Sequence, residues 1–372
     1  MISPFPPQIS GGSKASYYFY RYLTEIHNHQ IKVLSYKNFK NKYVNVNGVG
    51  LKGDESFLRG VCFIILGFFK GLFLTKKFKP DILYSKHLMS PSITAYFISK
   101  ALRIPLISHT AGPDIQSIRF MSSNVPSIFS KIYLILFSWL RLQVLKHSTA
   151  IICNCKADYI ALQKIYKNDK SIVIYNGLAL NKYKFKKKAR IKIRNKYKIK
   201  DNESIVIYTG QANKQKQTSK LLKIAKTNPE YKFLIVGPTE EELLNFGNIS
   251  KNIIITGPIY GNIEDFLSAA DIFILPSKHE GLSNSLVEAL SIGLPVIVTP
   301  VGEARYLIEH KKSGILSKIE NFHFWLNELE ENKKLKINIK KNARKIVAFR
   351  FNWKQSAGKM SILFERIKKM QN

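Results

Sequence analysis

Short runs of apolar, mostly β-branched residues alternate with segments of helical periodicity along nearly the whole chain. In the first half, the runs that predict strands are Ile31–Ser35, Asp81–Tyr84, Pro105–His109, Ala150–Cys153 and Ile172–Tyr175. In the second half they are Ser204–Thr209, Lys232–Val236, Asn252–Thr256, Asp271–Leu275 and Pro295–Thr299. Runs without polar alternation are typical of strands that helices cover on both faces. The pattern therefore predicts an α/β protein with doubly wound parallel sheets.

The alternation lapses in the middle of the chain. Asn176-Gly177 is a turn signal at the end of a strand, and the residues after it, up to Lys200, are rich in lysine and poor in apolar side chains. This division predicts a first domain over residues 1–178, a linker over 179–200, a second domain over 201–350 and a C-terminal helix over 351–372 that crosses back to the first domain. Because parallel α/β sheets bind ligands beyond the carboxyl ends of their strands, the expected site is a cleft between the two domains.

The chain is strongly basic. Its 59 lysine and arginine residues against 25 acidic residues give a net charge of +34 and an isoelectric point of about 9.9. Such a field favours partners that carry phosphate: a nucleic acid, an anionic lipid surface or a phosphorylated small molecule. A nucleic-acid partner would call for aromatic residues interleaved with the cations, or for a known binding module, and the sequence has neither. No nucleic-acid partner is predicted, and a general lysine bias is the alternative source of the charge.

The start of the chain and its cysteines favour a reducing compartment. Met1-Ile2-Ser3 is too short for a full strand, so either the first strand is a stub or the natural start lies a few residues upstream. No basic start followed by an apolar core is present, so no secretory signal is predicted. The three cysteines, Cys62, Cys153 and Cys155, are too few for a disulfide framework and have no zinc-site spacing. A reducing, cytoplasmic location is expected.

Two segments, Phe57–Leu74 and Ile128–Leu145, are apolar enough to raise the question of a membrane. The cations that interrupt them are Arg59 and Lys70 in the first and Lys131 and Arg141 in the second. Both segments fall short of the roughly 20 residues that a membrane span needs, so neither is predicted to cross a bilayer. Each is either a core helix or an interfacial helix with its cations at the lipid headgroups.

The most informative stretch is residues 276–295, PSKHEGLSNSLVEALSIGLP. It follows a predicted strand, turns at Gly281 and begins a helix near Ser283 or Ser285. Glu280 therefore lies in the loop above the sheet, and Glu288 lies within the first two turns of the helix. Backbone amides at a helix N-terminus bind phosphate, and a carboxylate on either side suits the hydroxyls of a sugar at each end of a diphosphate. The alternative is a capping box between Ser285 and Glu288, with Glu280 a solvated loop acid.

Other signatures of nucleotide, metal or hydrolase sites are absent from the sequence. There is no GxGxxG after a strand, no GxxxxGK[ST], no HExxH and no GxSxG. No Asp-x-Asp pair occurs, so a Mg²⁺ or Mn²⁺ held by carboxylates is not predicted, and no metal site is expected.

The chain resembles family-4 glycosyltransferases (glycosyl transferases group 1), which are retaining enzymes with the GT-B fold. The resemblance is strongest in the Glu-x7-Glu spacing of Glu280 and Glu288, followed by ALSIGLPVIVT. Four further pieces match in the right order: Pro6-Pro7 with Gly11-Gly12, His109 to Asp114, Ile174 to Gly177, and Gly210-Gln211 to Lys216. The resemblance covers essentially the whole chain, and it implies two Rossmann-like domains that face each other across a cleft.

The resemblance also implies which residues form the site. The implied donor-binding residues are Gly12, Gln211, Lys216, Gly281, Leu282, Ser283, Asn284 and Glu288, and the implied catalytic residues are Glu280, His109 and Lys216. In this scheme the missing side chain of Gly12 lets the backbone approach the donor phosphates. Lys216 neutralises the diphosphate as it leaves. Glu288 accepts hydrogen bonds from the ribose hydroxyls.

The same scheme assigns the sugar. Glu280 and the amides of residues 281–284 would hold the donor sugar, and His109 would lie on its reacting side. One position departs from the family, because Gln211 stands where the family has an arginine. An amide can hydrogen-bond a phosphate without neutralising it, and Lys214 is near enough in sequence to supply the charge.

The implied activity is that of a metal-independent, hexosyltransferase-type enzyme. It would move a sugar from a nucleotide-diphosphate sugar to a glycan or polyprenyl-diphosphate-linked acceptor, in bacterial surface polysaccharide synthesis. The first domain would be the acceptor side and the second would bind the nucleotide sugar; no cofactor is implied besides the donor substrate. Two alternatives stay open: a nucleotide-sugar epimerase of the same fold, and a catalytically silent nucleotide-sugar-binding protein, which Gln211 makes possible.

A lipid-linked acceptor implies an anionic membrane surface. The cations that flank the two apolar segments are Lys70, Lys76, Lys77, Lys79, Lys131 and Arg141. Each basic residue near such a surface contributes about 1 kcal/mol to binding. The sequence therefore predicts a peripheral protein on the inner face of the cytoplasmic membrane.

Overall fold

The computed structural model describes residues 1–6, 11–51, 57–110, 127–259 and 261–371. The chain forms two compact units. The first contains Met1–Gly177 together with Trp353–Asn372, and the second contains Leu178–Asn352. The chain thus leaves the first unit after Gly177 and returns to it at Trp353.

The strands of the first unit are short and mostly buried. They are β1 (Val33–Ser35), β2 (Phe39–Lys40), β3 (Asn45–Gly48), β4 (Leu83–Lys86), β5 (Leu106–His109), β6 (Ala150–Cys153) and β7 (Ser171–Val173). The group β4-β5-β6-β7 is parallel throughout, whereas in the group β1-β3-β2 the strand β2 is antiparallel to β3. Ile2 pairs in parallel with both Leu34 and Ser85. The first residues are therefore a stub of strand that joins the two groups.

Helices cover this sheet. They are α1 (Gly11–Glu25), α2 (Phe57–Phe78), α3 (Ser90–Leu102), α4 (Ser127–His147) and α5 (Lys156–Ile165), together with the C-terminal helix (Trp353–Lys369). Trp353 stacks on Tyr18 with ring centroids 5.0 Å apart. A Cβ at Gly177 would lie 2.4 Å from the Trp353 ring, so this close contact requires glycine.

The second unit contains a six-stranded parallel sheet. Its strands are β8 (Ile205–Thr209), β9 (Lys232–Val236), β10 (Ile253–Ile255), β11 (Ile272–Leu275), β12 (Val296–Val298) and β13 (Ile315–Leu316). Their order in the sheet is β10-β9-β8-β11-β12-β13. The winding direction reverses between β8 and β11, and this reversal creates a crevice at the carboxyl ends of these two strands.

The helices of the second unit connect these strands. They are α6 (Lys187–Lys196), α7 (Thr218–Lys226), α8 (Glu240–Leu244), α9 (Ile263–Ala269), α10 (Asn284–Ile292), α11 (Ala304–Leu307), α12 (Phe322–Glu331) and α13 (Lys333–Arg350), with a short 3-10 helix at Ile319–Asn321. Doubly wound parallel sheets with helical connections are what the sequence pattern predicts.

The stretch 179–200, predicted as a linker, instead belongs to the second unit and carries helix α6. Arg190 Nη2 lies 2.7 Å from Asp271 Oδ1, and the buried Arg194 places Nη1 3.4 Å from Asp271 Oδ2. Ala189 and Ile193 are buried beside them. The low apolar content is compensated by these ion pairs, a tertiary feature that the local composition does not reveal.

Helix α2 continues to Phe78, four residues beyond the predicted apolar segment. Within the described part of the chain, one helix, Leu58–Phe78, has the length and composition of a membrane span, with mean hydropathy 1.8. Only 28% of that apolar window is buried. Its outward side chains include Leu58, Phe69 and Phe73, each about two-thirds exposed.

Candidate functional site

The loop between β11 and α10 opens a helix at the position expected from the sequence. Ser283 is the N-cap residue, and its Oγ accepts a hydrogen bond from the Leu286 amide at 3.4 Å. Ser285 Oγ lies 3.0 Å from Ser283 Oγ. The N-cap residue is therefore Ser283, and Ser285 lies inside the helix.

Lys216 and Glu280 meet beyond the carboxyl ends of β8 and β11. Lys216 Nζ lies 2.6 Å from Glu280 Oε1, with the two side chains 17% and 10% exposed. Both lie in loops that follow neighbouring strands at the reversal of the sheet. The structure thus brings together two residues that are 64 positions apart in the sequence.

Hydrogen bonds between the two loops fix this pair. Gln215 Nε2 donates to the carbonyl of His279 at 3.0 Å, and the Lys278 amide donates to the carbonyl of Gln215 at 2.8 Å. The Lys216 amide donates to Asn213 Oδ1 at 2.8 Å. The cation therefore rests on a loop that is already ordered, which reduces the entropy lost when it meets an anion.

Tyr208 supports the same loop from inside the sheet. Its Oη donates to the carbonyl of Gln211 at 2.8 Å, and a Cβ at Gly210 would lie 2.8 Å from that oxygen. Burial raises the pKa of Tyr208, and the nearby Glu280 carboxylate raises it further, so the phenol stays protonated as a donor. The side chain of Gln211 is exposed at the surface.

A third loop, after β12, packs against the loop after β11. A Cβ at Gly302 would lie 2.3 Å from the carbonyl oxygen of Glu280, and the residue has φ +54°. The Glu303 amide donates to the carbonyl of Gly281 at 2.9 Å. Gly302 is needed both for its left-handed backbone and for this close approach.

Glu288 lies in the second turn of α10 and faces the segment that enters the second unit. Its Oε1 accepts a hydrogen bond from Tyr183 Oη at 2.9 Å. The two glutamates of the Glu-x7-Glu motif thus have different neighbours: a lysine for Glu280 and a tyrosine for Glu288.

His109 of the first unit is fully buried at the end of β5. Nδ1 lies 2.6 Å from Tyr84 Oη, and Nε2 lies 2.7 Å from Asn154 Oδ1. Burial, and then the charge of Lys86, holds the pKa of His109 well below its usual range, so the ring is neutral. Neighbouring strands enclose the imidazole, and both ring nitrogens have protein partners. Its expected place on the reacting side of a sugar stays a prediction.

Gly12 lies in the first turn of α1, against the imidazole of His87. A Cβ at Gly12 would lie 2.1 Å from His87 Nε2. The space that the glycine leaves is therefore filled by a side chain of the protein. The approach of donor phosphates to Gly12 stays a prediction. In the same two motifs, Pro7 and residues 111–114 lie outside the described residues.

Three neighbours of the site in the second unit escape sequence reasoning: Tyr183, Tyr208 and Gly302. Tyr208 reads as an ordinary strand residue, and Tyr183 stands in the lysine-rich stretch. Gly302 had a usable signal, because a glycine just after a predicted parallel strand lies at the ligand-binding edge of the sheet. Within the residues that the structure describes, no group of three or more His, Cys, Asp or Glu side chains is placed to hold a metal ion.

Two protein-family models match the chain. Residues 9–182 match glycosyltransferase family 4, and residues 189–346 match glycosyl transferases group 1. The chain is 27% identical over 315 residues to the UDP-Gal:alpha-D-GlcNAc-diphosphoundecaprenol alpha-1,3-galactosyltransferase of Escherichia coli, covering 78% of this chain and 76% of that one.

Solved structures share the fold over nearly the whole length. Anabaena HepE in complex with UDP-glucose gives a TM-score of 0.75 at 16% identity and covers 98% of both chains. A sucrose-phosphate synthase of Thermosynechococcus elongatus gives a TM-score of 0.79 at 15% identity and covers 96% of this chain and 94% of its own. The chain therefore belongs to the group 1, family-4 glycosyltransferases and has their GT-B fold of two Rossmann-like domains.

Proposed function

We propose that this protein transfers a hexose, with retention and without a bound metal ion, from a nucleotide-diphosphate sugar to a glycan or polyprenyl-diphosphate-linked acceptor. The observation that carries the proposal is the pairing of Lys216 with Glu280 at the reversal of the second sheet, beside the N-terminus of α10. A cation, a carboxylate and helix amides at one edge suit a diphosphate joined to a sugar. The biological context is the synthesis of a bacterial surface polysaccharide.

The donor would lie along this edge. In this proposal Lys216 and the amides of residues 281–284 contact the diphosphate, and Glu280 turns its second oxygen to the sugar hydroxyls. Glu288 accepts from the ribose, and the exposed Gln211 hydrogen-bonds a phosphate oxygen, with Lys214 supplying charge. A carboxylate accepts at about four lone-pair positions, so the bond from Lys216 leaves Glu280 able to accept from a sugar.

Chemistry at this site would consist mainly of charge stabilisation. As the bond between the sugar and the diphosphate breaks, negative charge grows on the leaving phosphate beside Lys216. A fixed cation stabilises that charge more in the transition state than in the ground state. The acceptor hydroxyl then attacks from the face that the diphosphate leaves and gives its proton to the departing phosphate, so the anomeric configuration is retained.

A screen of nucleotide sugars tests the donor assignment. UDP-, GDP-, ADP- and CMP-sugars are added with EDTA present, and the melting temperature is followed; a ligand at one hundred times its Kd stabilises the fold by about 2.7 kcal/mol. We expect one diphosphate sugar to stabilise the protein and to be consumed with an acceptor. Stabilisation without turnover by any acceptor would favour a silent binding protein, and an epimer formed without acceptor would favour an epimerase. Dependence of turnover on added Mg²⁺ would refute metal independence.

The proposal places the protein on the inner face of the cytoplasmic membrane. Its support is the outward apolar side of α2, with Lys76 and Lys77 exposed in the last turn of the helix. Two of the predicted headgroup cations are used otherwise, because Lys70 Nζ donates to the Gly48 carbonyl at 2.5 Å and Arg141 is buried. Exposed Trp139 and Ile135 of α4 add to the apolar surface. The side chain of Lys131 lies outside the described residues.

Vesicle binding tests this location. Phe69→Glu, on α2, should reduce co-sedimentation with anionic vesicles of phosphatidylglycerol at low salt, because the change removes apolar contact and adds repulsion. Phe349→Glu is the matched control, since Phe349 is 76% exposed on α13 of the other unit. Equal binding by both variants and the parent protein, or no binding by the parent, would reject membrane association through α2.

A further inference from the structure

We propose that Tyr183 is a positioning residue for Glu288 and sets how strongly the site distinguishes a ribonucleotide from its deoxy counterpart. The inference rests on the proposed function, because it takes Glu288 as the acceptor for the ribose hydroxyls. Tyr183 belongs to the stretch that the sequence pattern assigns to a linker, and no motif of the chain includes it.

The contact is direct. Tyr183 Oη donates to Glu288 Oε1 at 2.9 Å, across 105 residues of sequence. Both side chains are half-buried, so the bond is formed where water is partly excluded. A hydrogen bond to a carboxylate is stronger in such a place than a bond between neutral groups.

The backbone of Tyr183 is attached to the same helix. Ser291 Oγ donates to the carbonyl of Tyr183 at 2.9 Å, and Ser291 is fully buried in α10, three residues beyond Glu288. The amide of Tyr183 donates to the carbonyl of Ala179 at 3.1 Å. The phenol therefore approaches Glu288 from a backbone that is itself fixed to α10.

A second attachment lies three residues further along the chain. Lys186 Nζ lies 3.0 Å from Glu264 Oε1 and 2.9 Å from Asp265 Oδ1, and its amide donates to Ser268 Oγ at 3.2 Å. Glu264 is 2% exposed, so this ion pair is partly buried. The segment around Tyr183 is thus held to α9 as well as to α10.

This attachment has a consequence for binding. A free glutamate side chain loses rotamer freedom when it accepts hydrogen bonds from a ligand, and that loss weakens the affinity. Tyr183 fixes one carboxylate oxygen of Glu288 in advance, so part of this rotamer freedom is already lost in the free protein. The resulting gain in affinity depends on the hydrogen bonds from the ribose hydroxyls, so a ligand that lacks the hydroxyl does not bind more tightly.

The test uses the full chain and Tyr183→Phe. Calorimetry gives Kd for UDP, GDP and ADP, and the tightest of these is compared with its 2′-deoxy and 3′-deoxy forms. We expect Tyr183→Phe to raise the Kd of the ribonucleotide by about threefold to tenfold. The ratio of the Kd of the deoxy form to the Kd of the ribo form should move closer to one. Tyr231→Phe is the matched control: its Oη lies 3.1 Å from Asn327 Oδ1, away from Glu288, and should change neither quantity.

Two further variants extend the test. In a Glu288→Gln background, Tyr183→Phe should have little further effect on the ratio, because the two residues act as a unit. Ser291→Ala loosens the Tyr183 backbone without altering either partner, and it should lower the ratio by a smaller factor, which keeps the test available if Tyr183→Phe does not fold. An unchanged ratio, or tighter binding by Tyr183→Phe, would overturn the inference. If none of the three nucleotides binds the parent protein, the proposed function fails instead.

Discussion

The ion pair of the second unit lies beyond the carboxyl ends of two parallel strands, and the histidine of the first unit is the last residue of a parallel strand. Lys216 and Glu280 keep part of their surface in contact with solvent, whereas His109 is wholly enclosed. The difference comes from their neighbours. The loops after β8 and β11 hold each other by backbone and amide bonds, which leaves the charged ends at the rim. Around His109, Tyr84 and Asn154 satisfy both ring nitrogens. A place at the carboxyl end of a parallel strand therefore does not by itself decide whether a side chain is exposed to solvent.

The largest expected effect is a loss of turnover when the ion pair of the second unit is broken. Lys216→Ala should lower kcat by about 10²–10³-fold, because a fixed charge is lost at the leaving phosphate. Steady-state kinetics with the donor found in the screen measures this loss. Lys220→Ala, an exposed lysine on α7, is the control and should behave as the parent protein. A variant of Lys216 with full turnover would remove the catalytic assignment.

For His109, the expected loss is in stability and not in activity. His109→Ala should lower the free energy of unfolding by about 2–4 kcal/mol, because Tyr84 and Asn154 lose their buried partner and a cavity is left. Denaturant unfolding measures this, and the folded fraction should keep its activity within a factor of about ten. A hundredfold loss of turnover at unchanged stability would show that the ring reaches the substrate after all.

Gly12 sharpens the comparison, because it lies where the resemblance places the donor phosphates. Gly12→Ala should destabilise the first unit by about 1–3 kcal/mol, since its Cβ would collide with His87. Adding His87→Ala should recover most of that loss, a coupling that a double-mutant cycle measures. If Gly12→Ala instead leaves stability intact and weakens donor binding, the glycine serves the ligand and not the imidazole.

The smallest effect is on the pH dependence of stability. The pKa of His109 is lowered in the folded protein, so below about 6.5 the unfolded chain takes up a proton that the folded chain does not. Stability should therefore fall as the pH drops below 6.5, by at most about 1.4 kcal/mol per pH unit from this group. His109→Gln, which cannot titrate, should flatten the slope between pH 5 and 7. An identical slope in both proteins would mean that other groups produce it.

Sequence patterning alone was enough for ten of the strands and for the position of the α10 helix, whereas β2, β3 and β13 lie outside the predicted runs. Apolar runs such as Lys232–Val236 become strands because burial on both faces demands them, and Ser283 begins the helix because its own hydroxyl satisfies a nearby amide. The Glu-x7-Glu spacing likewise places Glu280 in the loop and Glu288 on the helix through local geometry. These features depend on residues that are close together in the chain.

Tertiary structure decided the partners of each charged or polar group. Nothing near Lys216 in the sequence indicates that Glu280 lies 2.6 Å away, and nothing near Asp271 indicates that it binds the two arginines that turn the expected linker into a packed helix. The burial of His109 has the same origin, because β4, β5 and the segment after β6 each contribute one member of its network. The local pattern determines on which strand, helix or loop a residue lies. Its surroundings, and hence its charge and its access to a ligand, depend on the strands and loops that folding brings together.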